Sequence, residues 1–133
     1  MSGVWVWIEQ QDGKAAPVSW EVMSAGRGVA AELGTSVAAL VVGNGAGAVA
    51  ETAVQAGAET VYVCDDPTLA VYRAQPYASW LSGLAKKEHP QVILAGATSV
   101  GRDLLALAAV DLDAGLIPDC TGLSAADGKI KAL

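Results

Sequence analysis

Four short apolar runs recur along the chain, at residues 4–8 (VWVWI), 36–42 (SVAALVV), 60–64 (TVYVC) and 92–95 (VILA). A segment long enough for a helix follows each. Runs of this length, rich in Val, Ile and aromatic residues, read as strands buried on both faces. Val22, Gly26, Val29 and Leu33 recur at about helical spacing, so residues 18–33 should form one amphipathic helix, preceded by Pro17 and stopped at Gly34. Residues 46–56 read as a small-residue helix closed by Gly57. A third helix starts near Pro76 with a stripe of Tyr77, Trp80, Leu81, Leu84 and Ala85, and ends around Lys86, Lys87 and His89 before Pro90. A fourth opens at Gly101, Arg102 and Asp103. Strands alternating with helices predict an α/β domain: three layers around a doubly wound, mostly parallel sheet.

The end of the chain reads differently. Residues 115–121 (GLIPDCT) form an extended piece carrying Pro118, Asp127 and Gly128 make a tight hairpin turn, and residues 129–133 return as a strand that stops short. The expectation is one domain over residues 1–133, truncated at its C-terminal end.

Composition narrows the function classes. The 133 residues carry a net charge of −6, which argues against a nucleic-acid groove or binding to an anionic membrane surface. Cys64 and Cys120 are isolated, and with no basic leader segment they read as reduced thiols of a soluble, cytoplasmic protein. No apolar run approaches the roughly 20 residues of a membrane-spanning helix. A single His, His89, and no local ligand cluster exclude a zinc site. Trp5, Trp7, Trp20 and Trp80 are most simply core or interface anchors.

Three stretches could still hold a ligand. Residues 43–47 (GNGAG) follow the second strand and resemble a phosphate loop, because backbone N–H groups at a helix start attract anions. The full GxGxxG pattern and the P-loop Lys are both missing, so a tight structural turn is the simpler reading. Asp65, Asp66 and Pro67 lie where a carboxylate could hold a ribose, although Asp is common at such turns. The third stretch is QVILAGATSVGRD (residues 91–103), a strand running through small and hydroxyl residues into a helix. Thr98 or Ser99 can cap that helix with no ligand at all. Gly101 calls for another reason, since Gly costs about 1 kcal/mol relative to Ala inside a helix. Close approach by another backbone, a subunit or a cofactor would supply it, and Arg102 and Asp103 could pair with each other or reach across an interface. Thr98, Ser99, Gly101 and Arg102 are therefore the candidate cofactor-binding residues, beside the plain capping reading. No catalytic constellation is visible.

Residues 94–123, LAGATSVGRDLLALAAVDLDAGLIPDCTGL, resemble the N-terminal domain of the electron transfer flavoprotein alpha subunit. The likeness rests on a GATS-x-GRDL turn, the small-residue helix after it and an LGAGL-x-x-D-x-TGL segment, and the layout of residues 4–34 agrees. Leu105, Ala106 and Leu107 replace a Pro–Arg pair usual in the family, and Asp113 replaces a Gly. The resemblance implies a Rossmann-like fold of the adenine-nucleotide-alpha-hydrolase type. It further implies a scaffold and subunit-contact role in an electron carrier that is not itself an enzyme. FAD would be held by a further domain, so no FAD-binding residue is carried over and none is expected to bind here. The implied partners are the beta subunit, flavoprotein dehydrogenases and a quinone reductase.

The rival reading is a stand-alone adenine-nucleotide module resembling universal stress proteins. It would place ATP or AMP near residues 9–11, 43–47 and 98–102, although the phosphate signature of that family near the last strand is missing. A third reading is an interaction protein whose open sheet edge is met by another chain or by a second copy of itself.

Overall fold

The computed structural model describes residues 3–113, 115, 123–126 and 129–132. The elements in chain order are β1 (Val4–Trp7), β2 (Gln10–Gln11), β3 (Lys14–Ala15), α1 (Pro17–Leu33), β4 (Val37–Gly43), α2 (Gly47–Gln55) and β5 (Thr60–Asp65). A short 3-10 turn (Pro67–Leu69) then leads to α3 (Ala74–Glu88), β6 (Val92–Leu94), α4 (Ser99–Leu112), β7 (Leu123–Ala126) and β8 (Lys129–Ala132).

Four strands form one parallel sheet in the order β5-β4-β1-β6. The period of two along each strand splits the core into two layers. Val4, Val6 and Ile8 of the first strand run, with Val37, Ala39 and Val41, face Met23, Val29 and Ala30 of α1 and Val49 and Ala53 of α2. Trp5, Trp7, Ala38, Leu40 and Val42 face Tyr77, Ala78 and Leu81 of α3 and Leu104 and Ala108 of α4. The molecule is thus a three-layer, Rossmann-like α/β domain with a mostly parallel sheet. The fully buried run of β4 explains why its sequence shows no alternation.

Glycines set two of the close approaches. A Cβ on Gly26 of α1 would lie 2.6 Å from Val6 Cγ2, so this helix can sit down on β1 only where a side chain is missing. Gly28, two residues on, faces open space.

Two features differ from the sequence reading. Asp12 and Gly13 are a turn as expected, but they close a hairpin, β2 with β3. Both have positive φ, 53° and 76°, the requirement of a type I′ turn. At the other end, the return strand β8 pairs antiparallel with β7 as a separate two-stranded sheet, and β7 lies against α1. The extended piece expected at residues 115–121 and the turn at 127–128 lie outside the described residues, apart from Gly115, as does Cys120. The described strand falls later, on Leu123–Ala126.

Candidate functional site

In this sheet β1 leads into α1 on one face and its neighbour β6 leads into α4 on the other. The crevice between their carboxyl ends is the switch point at which doubly wound sheets bind ligands. Glu9, just past β1, and residues 96–101, just past β6, flank it.

Glu9 is held at every polar group of its backbone. Its N–H donates to Ser19 Oγ at 2.8 Å. Its carbonyl accepts from the same hydroxyl at 3.2 Å and from the Ala16 N–H at 2.8 Å. Ser19 is fully buried, and this reciprocal pair satisfies its hydroxyl. The Glu9 side chain crosses the crevice, where Oε1 accepts from Thr98 Oγ1 at 2.5 Å. Thr98 Oγ1 in turn accepts from the Gly101 N–H at 3.0 Å, so Thr98, with extended φ and ψ of −93° and 169°, is the N-cap of α4. A carboxylate of the chain itself therefore lies at the positive end of the α4 dipole, where an anionic ligand would otherwise be favoured.

The four candidate residues of this turn fall in different places. Thr98 is the cap, and Ser99 is exposed at the first helical position. Gly101 is buried in the first turn of α4, and a Cβ there would run into the carbonyl oxygen of Gly96. Close approach by a backbone is thus the reason for Gly101, and the backbone is the chain's own. Arg102 is exposed and is not without a partner. Asp103 Oδ2 accepts the Tyr72 hydroxyl at 2.6 Å. Burial of Tyr72 and the Asp103 carboxylate together push that phenol well above its ordinary value.

The other two stretches are also used internally. The Gly45 N–H, at φ 73°, donates to Asp65 Oδ1 at 2.8 Å, so the turn after β4 is closed by the carboxylate at the end of β5. Gly43 is required by Gln10, whose amide packs on it and donates to the Val42 carbonyl at 2.8 Å. Gln10 Oε1 also accepts from the Gly13 N–H at 3.1 Å, which straps the β2–β3 hairpin over the end of β4. Asp66 Oδ1 accepts from Thr68 N–H and Oγ1 at 2.8 and 2.7 Å; these bonds hold its carboxyl below the usual value. His89 is the left-handed C-cap of α3, at φ 55°.

Trp5 and Trp7 are buried in the sheet, while Trp20 and Trp80 are half-buried against the two core layers. Under the hairpin, a cavity of about 550 Å³ is lined by Trp7, Gln11, Lys14, Tyr72, Tyr77 and Val100, among others. Among the described residues no group of His, Cys, Asp or Glu is arranged to hold a metal, and no helix is long and apolar enough to cross a membrane. The free thiol of Cys64 is half-buried, and burial pushes it up, helped by Asp66 and Asp65.

Sequence reasoning reached Thr98, Gly45 and Asp65 but not what they bind. Ser19 and Tyr72 were missed, and Glu9 and Gln10 entered only through the nucleotide alternative at residues 9–11. Ser19 alone left a faint trace, as a small polar residue inside the first turn of an otherwise amphipathic helix.

These features define a doubly wound α/β domain whose switch-point crevice is bridged by its own side chains. The chain belongs to the electron transfer flavoprotein domain family, which matches residues 4–133. It is similar to the protein FixB of Azorhizobium caulinodans, 43% identical over 133 residues, covering 97% of this chain and 36% of that protein. The electron transfer flavoprotein subunit alpha of Thermoanaerobacterium thermosaccharolyticum is 40% identical over 120 residues, or 90% of this chain and 36% of the relative. The acryloyl-CoA reductase electron transfer subunit beta of Anaerotignum propionicum is 39% identical over 120 residues, or 90% and 33%. The chain thus spans about a third of the length of these relatives. They do not favour the stand-alone adenine-nucleotide alternative.

Proposed function

We propose that this chain is the N-terminal scaffold and subunit-contact domain of an electron transfer flavoprotein alpha-type subunit, and that it carries no catalytic group. In the assembled carrier a beta-type subunit packs beside it and FAD is held by a different domain. Electrons pass from flavoprotein dehydrogenases to an acceptor such as a quinone reductase, in the cytoplasm. The observation that carries this reading is the Glu9–Thr98–Gly101 chain of hydrogen bonds. At the head of α4, where a nucleotide phosphate or a flavin pyrophosphate would sit, the Thr98 hydroxyl is committed to Glu9 and the Gly101 N–H to Thr98. The second anion position, the Gly45 N–H, is committed to Asp65. FAD does not fit such a crevice, and no electron-transfer step is routed through it.

The test is to purify the chain alone and to co-express it with a beta-type subunit. The expected result is a colourless protein without bound flavin that co-purifies with the beta subunit. Stoichiometric flavin on this chain alone, or failure to associate with beta, would overturn the assignment.

A further inference from the structure

The chain has four Trp, three Tyr and no Phe, so each of its seven Trp and Tyr rings can be oxidised by one electron. Their placement is uneven. Trp5, Trp7, Tyr62, Tyr72, Tyr77 and Trp80 all belong to or pack against the layer under α3 and α4, and only Trp20 lies on the other side.

Within that layer three rings form a continuous path to the surface. Trp7 and Tyr77 have centroids 5.9 Å apart at an interplanar angle of 57°, and Tyr77 meets Tyr72 edge-on at 4.9 Å and 82°. Trp7 and Tyr77 are 2% and 4% exposed, whereas Tyr72 is half-buried and its partner Asp103 is exposed.

The proton partners differ along this path, and the difference gives it a direction. The buried Trp7 Nε1–H has no hydrogen-bond acceptor among the described residues. No protein group beside it takes the proton of an oxidised indole, which favours a charge that stays mobile. The Tyr77 hydroxyl donates to the Leu69 carbonyl at 2.5 Å, and an amide oxygen is too weak a base to take a phenolic proton. Among the described residues, Tyr72 alone of the three rings donates to a carboxylate, Asp103 Oδ2 at 2.6 Å.

We propose that Trp7, Tyr77 and Tyr72 form an exit route for oxidising equivalents, with the Tyr72–Asp103 pair as its terminus. A one-electron oxidant, such as a photoexcited flavin or an oxidised metal–diimine complex, removes one electron from Trp7. An electron from Tyr72 refills Trp7 through the Tyr77 ring, and the Tyr72 phenolic proton moves to Asp103 in the same step. The neutral Tyr72 phenoxyl is then reduced at the surface by a thiol, which gives it a hydrogen atom and becomes a thiyl radical, while Asp103 returns its proton to water. The oxidant has gained one electron, the thiol has lost one electron and one proton, and the protein is unchanged. This role is independent of the family assignment, because it needs only an oxidant and the three rings.

The test is flash photolysis of the full chain with a photo-oxidised ruthenium tris-diimine complex, read by transient absorption and freeze-quench electron paramagnetic resonance. The wild type is expected to give a phenoxyl signal that rises as the indole radical decays. Tyr72→Phe should lose that phenoxyl signal and retain the indole radical. Tyr77→Phe should uncouple the decay from the rise. Asp103→Asn should lose the phenoxyl signal with its circular dichroism unchanged, and Asp103→Glu, which keeps a base in place, should recover it. Mapping of stable oxidation products by mass spectrometry should show damage moving from Tyr72 to Trp7 in Tyr72→Phe. A phenoxyl signal undiminished in Tyr72→Phe, or at wild-type yield in Asp103→Asn, would overturn the proposal.

Discussion

Thr98 is the single hydroxyl that both caps α4 and ties β6 to β1 through Glu9, so replacing it by the nearly isosteric Val isolates what that hydroxyl contributes. Loss of an N-cap side chain costs about 0.5–2 kcal/mol. Loss of a hydrogen bond to a charged group costs about 1.5–3 kcal/mol when the group is left unsatisfied. The two terms share one oxygen and the site is only partly buried, so their sum is an upper limit and about 2–3 kcal/mol is the expected destabilisation. For a domain of this size that corresponds to a fall in Tm of roughly 10 °C. Thr98→Ser, which keeps both hydrogen-bonding functions, should stay within about 1 kcal/mol of the wild type. Urea unfolding followed by far-UV circular dichroism gives the numbers. The mechanism also predicts coupling. Once Thr98 is Val, the Glu9 carboxylate has lost its partner, so adding Glu9→Gln should cost less than Glu9→Gln alone. An interaction term of roughly 1 kcal/mol is expected from the cycle. A Thr98→Val protein within about 0.5 kcal/mol of the wild type at unchanged m-value would refute the reasoning, because surface substitutions of no structural consequence have effects of that size.

Two glycines of α1 should respond to Ala in opposite directions by the same assay. Gly28→Ala, with nothing near its Cβ, should stabilise by about 0.5–1 kcal/mol, whereas Gly26→Ala should destabilise by about 1–2 kcal/mol after its helix-propensity gain is subtracted from the overlap with Val6. Leu104→Ala, at a fully buried position of α4, should cost about 2–5 kcal/mol in chemical denaturation. Tyr72 provides the pH prediction. Its folded-state pKa is raised above the ordinary 10.0, so the native state keeps a proton that the unfolded chain releases. Stability from this group is complete below pH 10 and is lost as pH rises beyond it. Ultraviolet titration should show fewer phenolates in the native protein than in urea near pH 11, and Tyr72→Phe should flatten the alkaline fall in stability.

The two central strands, β1 and β4, were legible because each is buried on both faces, which writes an apolar run into the sequence, and the partly exposed edge strands β5 and β6 were legible from their β-branched residues. Helix ends were legible where a single residue sets them, as Gly34 and His89 do with their left-handed backbones. The hairpin announced its turn at Asp12 and Gly13, but two-residue strands are too short to show alternation. Of the final strand pair the return strand was legible and β7 was not, because Leu-Ser-Ala-Ala has little strand propensity. The site was less legible than the fold for a different reason. Glu9 and Thr98 lie 89 positions apart, and Tyr72 and Asp103 lie 31 apart, so only the assembled sheet brings them together. Gly101 showed that something must come close without showing that it is Gly96.

The carboxylates decide what this crevice can be. A phosphate approaching the head of α4 would meet Glu9 already on the Thr98 cap, and one approaching the turn after β4 would meet Asp65 already on the Gly45 N–H. Binding would require breaking a charge-assisted bond and placing a second anion beside the displaced carboxylate, in a chain whose net charge is −6. The Glu9–Thr98 bond fixes β1 against β6 at the one place where the sheet changes winding direction, and the Ser19 clasp fixes α1 to Glu9 at the end of β1. Groups that would recognise a nucleotide in a binding domain here hold the two helical layers in register. The crevice is thereby closed and stiffened at the point where the two helical layers meet the sheet.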